Sequence, residues 1–293
     1  MPQDRMPTPT ASPQLAKMDY EVVRTLGTGA GSTILLIRDT STGRRYAMKV
    51  VRRQGPDDEI YVNQAMQEYN VSRMLNHPNI AKVLDCRIRK SWFRTTGIEL
   101  LMEFVDGFVL DDVASLPIPK LVAVFRRVAD ALAHMHRRGV YHGDLKPGNL
   151  MISKAGEVKV IDFGTAWIRG EDKARVQGTP YYMAPEQASD RIVDEKTDLY
   201  NFGATMYRMF TGEYANLGIP GLDNGRVNRA RMKTPASLVA AIPKSLSDLI
   251  MQCIAPKPDR RPSGMTEVRD RLDAIASEIG PEADDPIDSD ELG

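Results

Sequence analysis

Cysteine is nearly absent: Cys86 and Cys253 are the only two in 293 residues. No disulfide framework can hold such a chain, and a reducing, cytoplasmic setting is expected. The spacing of these thiols and of the four histidines suggests no zinc site. Excess charge of either sign is absent too. Lys+Arg and Asp+Glu number 39 each, so no whole-molecule field attracts nucleic acid or an anionic membrane, and no nucleic-acid partner is expected. Long apolar runs are missing. The longest helical apolar pattern, 121–132, is broken by Arg126, Arg127 and Asp130, far short of the roughly 20 apolar residues a membrane span needs. Residues 1–17 carry Pro2, Pro7, Pro9 and Pro13 and no apolar stretch, unlike a signal peptide or an anchor.

The polar ends, 1–18 and the acidic 280–293, are expected to be disordered tails, because neither holds enough apolar surface to offset chain entropy. Between them the pattern changes once. Residues 20–26, 32–39 and 45–51 are rich in β-branched and apolar side chains separated by glycine turns, and predict strands. A helix is predicted over 60–76, ended by Asn76-His77-Pro78, since proline disfavours helix in the residue before it. Strands over 81–88 and 98–104 flank a basic turn at 90–94. After residue 105 helical periodicity takes over, with apolar residues at 121, 124, 125, 128, 132 and 135. Later helices are predicted over 196–211, 245–253 and 266–279.

Several clusters carry chemistry. Gly27-Thr28-Gly29-Ala30-Gly31-Ser32 lies between two predicted strands, where missing Cβ atoms would let backbone N–H groups approach phosphate oxygens. A strand rather than a helix follows, which excludes a dinucleotide-binding fingerprint, and no Gly-Lys-Ser/Thr makes a Walker loop. Alone, this run reads at least as well as a plain hairpin turn. Lys49 ends Tyr46-Ala47-Met48-Lys49, and Glu68 follows nineteen residues later in the predicted helix. His142-Gly143-Asp144-Leu145-Lys146-Pro147-Gly148-Asn149 is followed, thirteen residues on, by Asp162-Phe163-Gly164. Together these supply a carboxylate to face a hydroxyl, a lysine, and an Asn and an Asp suited to a hard cation. A solvated surface charge is the ordinary reading of a lone Lys or Glu. It does not explain four such groups in this order with a short strand, 158–161, between them.

In this order the clusters resemble the eukaryotic-type serine/threonine protein kinases, with the pattern H-R-D-L-x-x-x-N followed by D-F-G. The resemblance runs from about residue 19 to 279. It implies an α+β bilobal protein kinase fold: a small antiparallel β-sheet lobe with one helix, about 19–104, and a larger mainly helical lobe, about 105–279. It implies ATP and Mg2+ as co-substrate and metal, and a protein Ser/Thr hydroxyl as acceptor. Asp144 would be the base and Lys146 would neutralise the moving phosphoryl group. Lys49, held by Glu68, would touch the α- and β-phosphates, and Asn149 and Asp162 would bind the metal. Leu26, Gly27, Thr28, Gly29, Ala30, Gly31, Ser32 and Ile34 would cover the nucleotide. Ile34, Ala47 and Met151 would sandwich its base, beside Met102 and the backbones of Glu103 and Val105. Thr179 would bond Asp144 and Lys146, Glu186 would pair with Arg261, and Asp198 would hold the catalytic-loop backbone.

Ile34 replaces the valine of the family's glycine-rich run, and three further residues depart from the family pattern. Ser32 replaces a glycine, Ser72 replaces the aliphatic residue that faces the Phe of Asp-Phe-Gly, and Gly143 replaces the Arg before the catalytic Asp. They are the grounds for a pseudokinase reading, which the intact Lys49, Asp144, Asn149 and Asp162 oppose. An aminoglycoside-type small-molecule kinase is opposed by Ala184-Pro185-Glu186. A further expectation concerns Arg87, Arg89, Lys90 and Arg94: the solvated face of a hairpin rather than a docking patch. Gly143 brings no cation to an activation-segment phosphate, and Thr165 is the only hydroxyl residue between Gly164 and Gly178. Switching by phosphorylation of that segment is therefore not expected.

Overall fold

The computed structural model describes residues 15, 17–29, 31–92, 94–113, 115–171, 177–190, 192–215 and 232–280. The expectations for residues 1–14, for Ala30 and for 281–293 fall outside them. The chain divides into two units, residues 1–73 with 81–104, and residues 74–80 with 105–293.

The first unit is a five-stranded antiparallel sheet of β1 (Tyr20–Gly29), β2 (Ser32–Asp39), β3 (Arg45–Arg52), β4 (Val83–Ser91) and β5 (Arg94–Glu103), in the order β1-β2-β3-β5-β4. Helix α1 (Glu59–Met74) joins β3 to β4 and buries Val62, Ala65 and Tyr69 at helical spacing against Val51, Cys86, Ile98 and Leu100. On the opposite face Leu15 packs with Ile37, Met48 and Leu101, and its N–H donates to Asp85 Oδ2 at 2.6 Å. The expected disordered lead-in does not reach Leu15. Burying a leucine contributes about 1.5–3 kcal/mol, which with the Asp85 bond works against a cost of about 1–2 kcal/mol for each residue ordered. The basic turn is also shorter than expected. Strands β4 and β5 run to Ser91 and from Arg94, because Arg87 and Arg89 both bond Glu99 across the ladder, at 2.6 and 2.8 Å. Those two guanidinium groups are paired rather than simply solvated.

The second unit is mainly helical. It holds β6 (Gly107–Val109), α2 (Ile118–Arg137), β7 (Val140–Tyr141), β8 (Leu150–Ser153), β9 (Val158–Val160) and β10 (Trp167–Ile168). Helices α3 (Pro185–Ser189), α4 (Glu195–Thr211), α5 (Pro235–Leu238), α6 (Lys244–Cys253) and α7 (Met265–Ile279) follow. Buried α2 packs on α7 and α4, where Phe125 meets Phe202 edge-on at 5.5 Å. Asp194 starts α4 by accepting the N–H groups of Lys196 and Thr197, and Gly212 ends it. A sheet unit with one helix and a mainly helical unit make up the α+β fold expected of a protein kinase. Among the described residues no helix is long and apolar enough to cross a membrane.

Candidate active site

In the first unit, strand register decides which side chains share a face. Lys49 stands opposite Ile34 of β2, and Ala47 opposite Met102 of β5. Alternation then puts Ile34, Ala47, Lys49 and Met102 on the face that α1 covers. There Lys49 Nζ meets Glu68 Oε2 at 2.6 Å, and Glu68 is 3% exposed. A carboxylate so buried requires a cation. Glu103 N–H donates to the Lys82 carbonyl at 3.0 Å. Leu26 sits at a register shift between Thr25 and Gly27, where the bulge re-aims it. Gly27, Thr28 and Gly29 pair with Ile34, Thr33 and Ser32, and a Cβ on Gly27 would meet no atom within 4 Å. That leaves open the close approach a phosphate needs. Gly31 lies against the Tyr61 ring. A cavity of about 630 Å³ borders this turn, lined by Thr33, Leu35 and Val50 of one sheet face and by Ser32 and Tyr61 of the other.

Ser72, the residue standing in place of an aliphatic one, is buried and accepts the Val83 N–H at 2.9 Å. Its hydroxyl ties α1 to the start of β4, so the departure is compensated by a hydrogen bond.

The second unit assembles the loop residues. Asp144 accepts the Thr179 N–H on Oδ1 at 2.7 Å and Lys146 Nζ on Oδ2 at 3.0 Å. Lys146 Nζ also donates to Thr179 Oγ1 at 2.8 Å, closing a three-residue ring. Asn149 belongs to a single 3-10 turn, Pro147–Asn149, and its Nδ2 donates to the Asp144 carbonyl at 2.8 Å. The Asn149 carbonyl accepts the Ile161 N–H at 3.0 Å, which brings Asp162 beside this turn. Asp162 takes φ 63°, a left-handed conformation that costs a non-glycine residue on the order of 1 kcal/mol and clusters at functional turns. Val105 and Met151 also belong to this unit. Met151 pairs with Val109 and Lys159 in the β6-β8-β9 sheet.

What holds the loop is a buried carboxylate. Asp198 accepts the backbone N–H of His142 at 2.8 Å and of Gly143 at 2.9 Å, and bonds His136 Nε2 at 2.8 Å. Burial alone would raise its pKa. The hydrogen bond and electrostatic attraction of His136, with the Gly143 N–H, outweigh burial and hold it below the usual carboxylate range. His142 Nδ1 accepts the Asp144 N–H, so its Nε2 carries the proton and donates to the Ile161 carbonyl. Glu186 and Arg261 form a two-point pair at 2.6 and 2.8 Å, with Arg261 against the Tyr200 ring. Spacing alone missed His136 and Gln187, since their partners lie 62 and 44 residues away and no local pattern marks them.

The donor set suits a magnesium ion. Asn149 spends Nδ2 on Asp144, leaving Oδ1 as its remaining acceptor, and Asp162 adds a carboxylate. Among the described residues no group of three or more His, Cys, Asp or Glu could hold a metal.

Comparison with known proteins gives the family. The protein kinase domain family matches residues 20–272. The chain is 31% identical to a probable serine/threonine-protein kinase PknB of Bifidobacterium longum, over 84% of this chain and 38% of that protein. It is 30% identical to the serine/threonine-protein kinase PknB of Mycolicibacterium smegmatis, over 93% and 45%. It is also 30% identical to the serine/threonine-protein kinase pkn2 of Myxococcus xanthus, over 89% and 33%. The chain thus spans less than half the length of these curated relatives.

Proposed function

This chain belongs to the protein kinase family, and on that premise we propose that it transfers the γ-phosphoryl group of Mg-ATP to a serine or threonine hydroxyl of a protein. The observation that carries this is Asp144, ringed by the Thr179 N–H and the Lys146 ammonium. In that frame Asp144 orients the acceptor hydroxyl and takes its proton, and Lys146 neutralises charge on the phosphoryl oxygens. Lys49, fixed by Glu68, positions the α- and β-phosphates. Asn149 and Asp162 hold the metal, whose chemistry is to draw charge off the phosphates. The glycine turn of residues 27–32, with Leu26 and Ile34, covers the nucleotide. Ala47, Met102, Glu103, Val105 and Met151 receive its base.

The catalytic domain proposed is 19–279, preceded by a segment whose Leu15 packs on its sheet, with 280–293 as a tail. A cytoplasmic location is supported by two buried thiols that form no disulfide. Nothing in the charge balance favours nucleic acid. Radiolabelled ATP, Mg2+ and a generic basic protein, followed by acid hydrolysis to phosphoamino acids, test the proposal. Phosphoserine or phosphothreonine is expected. Absence of transfer, or phosphotyrosine alone, would overturn it.

A further inference from the structure

Gln187, the residue after Ala184-Pro185-Glu186, is 1% exposed. Its Nε2 donates to two carbonyls, those of Gly143 at 2.6 Å and Gln177 at 2.8 Å. Its Oε1 accepts the Ala184 N–H and the Asn201 amide, each at 3.3 Å. Two donated and two accepted bonds are the full capacity of a side-chain amide. Backbone carbonyls only accept, so the amide has one possible orientation.

The positions of those carbonyls carry the inference. Gly143 immediately precedes Asp144, and Gln177 stands two residues before Thr179, the pair joined at 2.7 Å. Glycine permits the left-handed backbone on both sides and the close approach at Gly178. Gly143 has φ 73° and Gly178 φ 140°, and a Cβ on Gly178 would lie 2.8 Å from Gln187 Nε2 and 3.3 Å from the Gly143 carbonyl. Asn201 in turn donates to the Tyr182 carbonyl at 2.7 Å, fastening the next turn to α4.

We propose that Gln187 is a positioning residue: an uncharged clasp that binds the catalytic loop to the end of the activation segment and so sets Asp144 against Thr179. This rests on the kinase reading, and deepens it by naming what orders the segment where Gly143 supplies no charge.

Gln187→Met keeps the side chain's size and removes its four bonds. Peptide kcat/KM should fall about 10–100-fold, because two buried carbonyls lose their donor. ATP affinity should hold, while the thermal midpoint falls modestly, because the stranded carbonyls also cost stability. Hydrogen exchange at the Thr179 N–H should quicken, while the Gly143 N–H, bonded to Asp198, stays protected. Gln187→Glu should be at least as impaired, since a carboxylate would face two carbonyl oxygens. Unchanged kcat/KM in the Met variant overturns the clasp, and so does loss of ATP binding in step with transfer. If the Met variant does not fold, Gly178→Ala presses on the same contact, and wild-type kcat/KM there is equally fatal. If the wild-type chain transfers nothing, the kinase reading fails, and Thr179 exchange still judges the clasp.

Discussion

Thr179 donates its backbone N–H to the Asp144 carboxylate at 2.7 Å, across 35 residues of sequence. The bond joins the catalytic loop to the activation segment through the atom proposed to take the substrate proton. Folding and chemistry meet in this one pair, so variants nearby must be read with both in view.

Asp144→Asn is nearly isosteric and removes the base. Transfer should drop by about 10²–10⁴-fold, with ATP affinity and thermal midpoint little changed. Wild-type turnover in this variant would remove Asp144 from the chemistry.

Asp162→Asn replaces an ionised carboxylate with an amide that a hard cation prefers less. The part of ATP's thermal stabilisation that depends on Mg2+ should largely vanish. Equal stabilisation of variant and wild type, measured by thermal shift with and without Mg2+, would show that the metal is held elsewhere.

Arg261→Ala tests structure rather than chemistry. The fully buried guanidinium pairs with Glu186 and also bonds the carbonyls of Ala255, Lys196 and Pro256. Removing it strands a carboxylate and should cost about 3–5 kcal/mol of stability. Urea unfolding measures this directly, and a loss under about 1 kcal/mol would place the pair with exposed ones.

His134 should impose a pH dependence on stability. Burial, then Arg138, His77 and Arg137, push its pKa down to about 4 from 6.5, with Asp130 opposing. Between these values the unfolded chain binds a proton that the folded chain refuses. Stability therefore falls as pH drops from 6.5 towards about 4. His134→Gln should flatten that slope by about one bound proton. An unaltered slope assigns it to another group.

Phosphorylation of the activation segment should not switch the enzyme on. Gly143 offers no guanidinium to a phosphate, and the buried Gln187 amide already joins the two strands of chain there. Control would then come from a partner, the tails or expression level. Broad phosphatase treatment should leave initial rates unchanged. A collapse restored by phosphate within residues 165–182 would contradict this.

Local spacing made the loop chemistry legible. Asp144, Lys146 and Asn149 lie within six consecutive residues, so their order alone signals a shared task. The strand expected over 45–51 is present as β3, and its alternation puts Ala47 and Lys49 on one face. Only the tertiary structure showed that Ser72 is satisfied by Val83, that Arg87 and Arg89 are held by Glu99, and that Leu15 is buried. Only it revealed the Asp198 anchor's bond to His136 and the Gln187 clasp. The physical reason is the same in each case. A motif is read from neighbours along the chain, whereas the worth of a hydroxyl, an amide or an imidazole depends on partners that come within 3 Å only when distant segments pack and water is excluded.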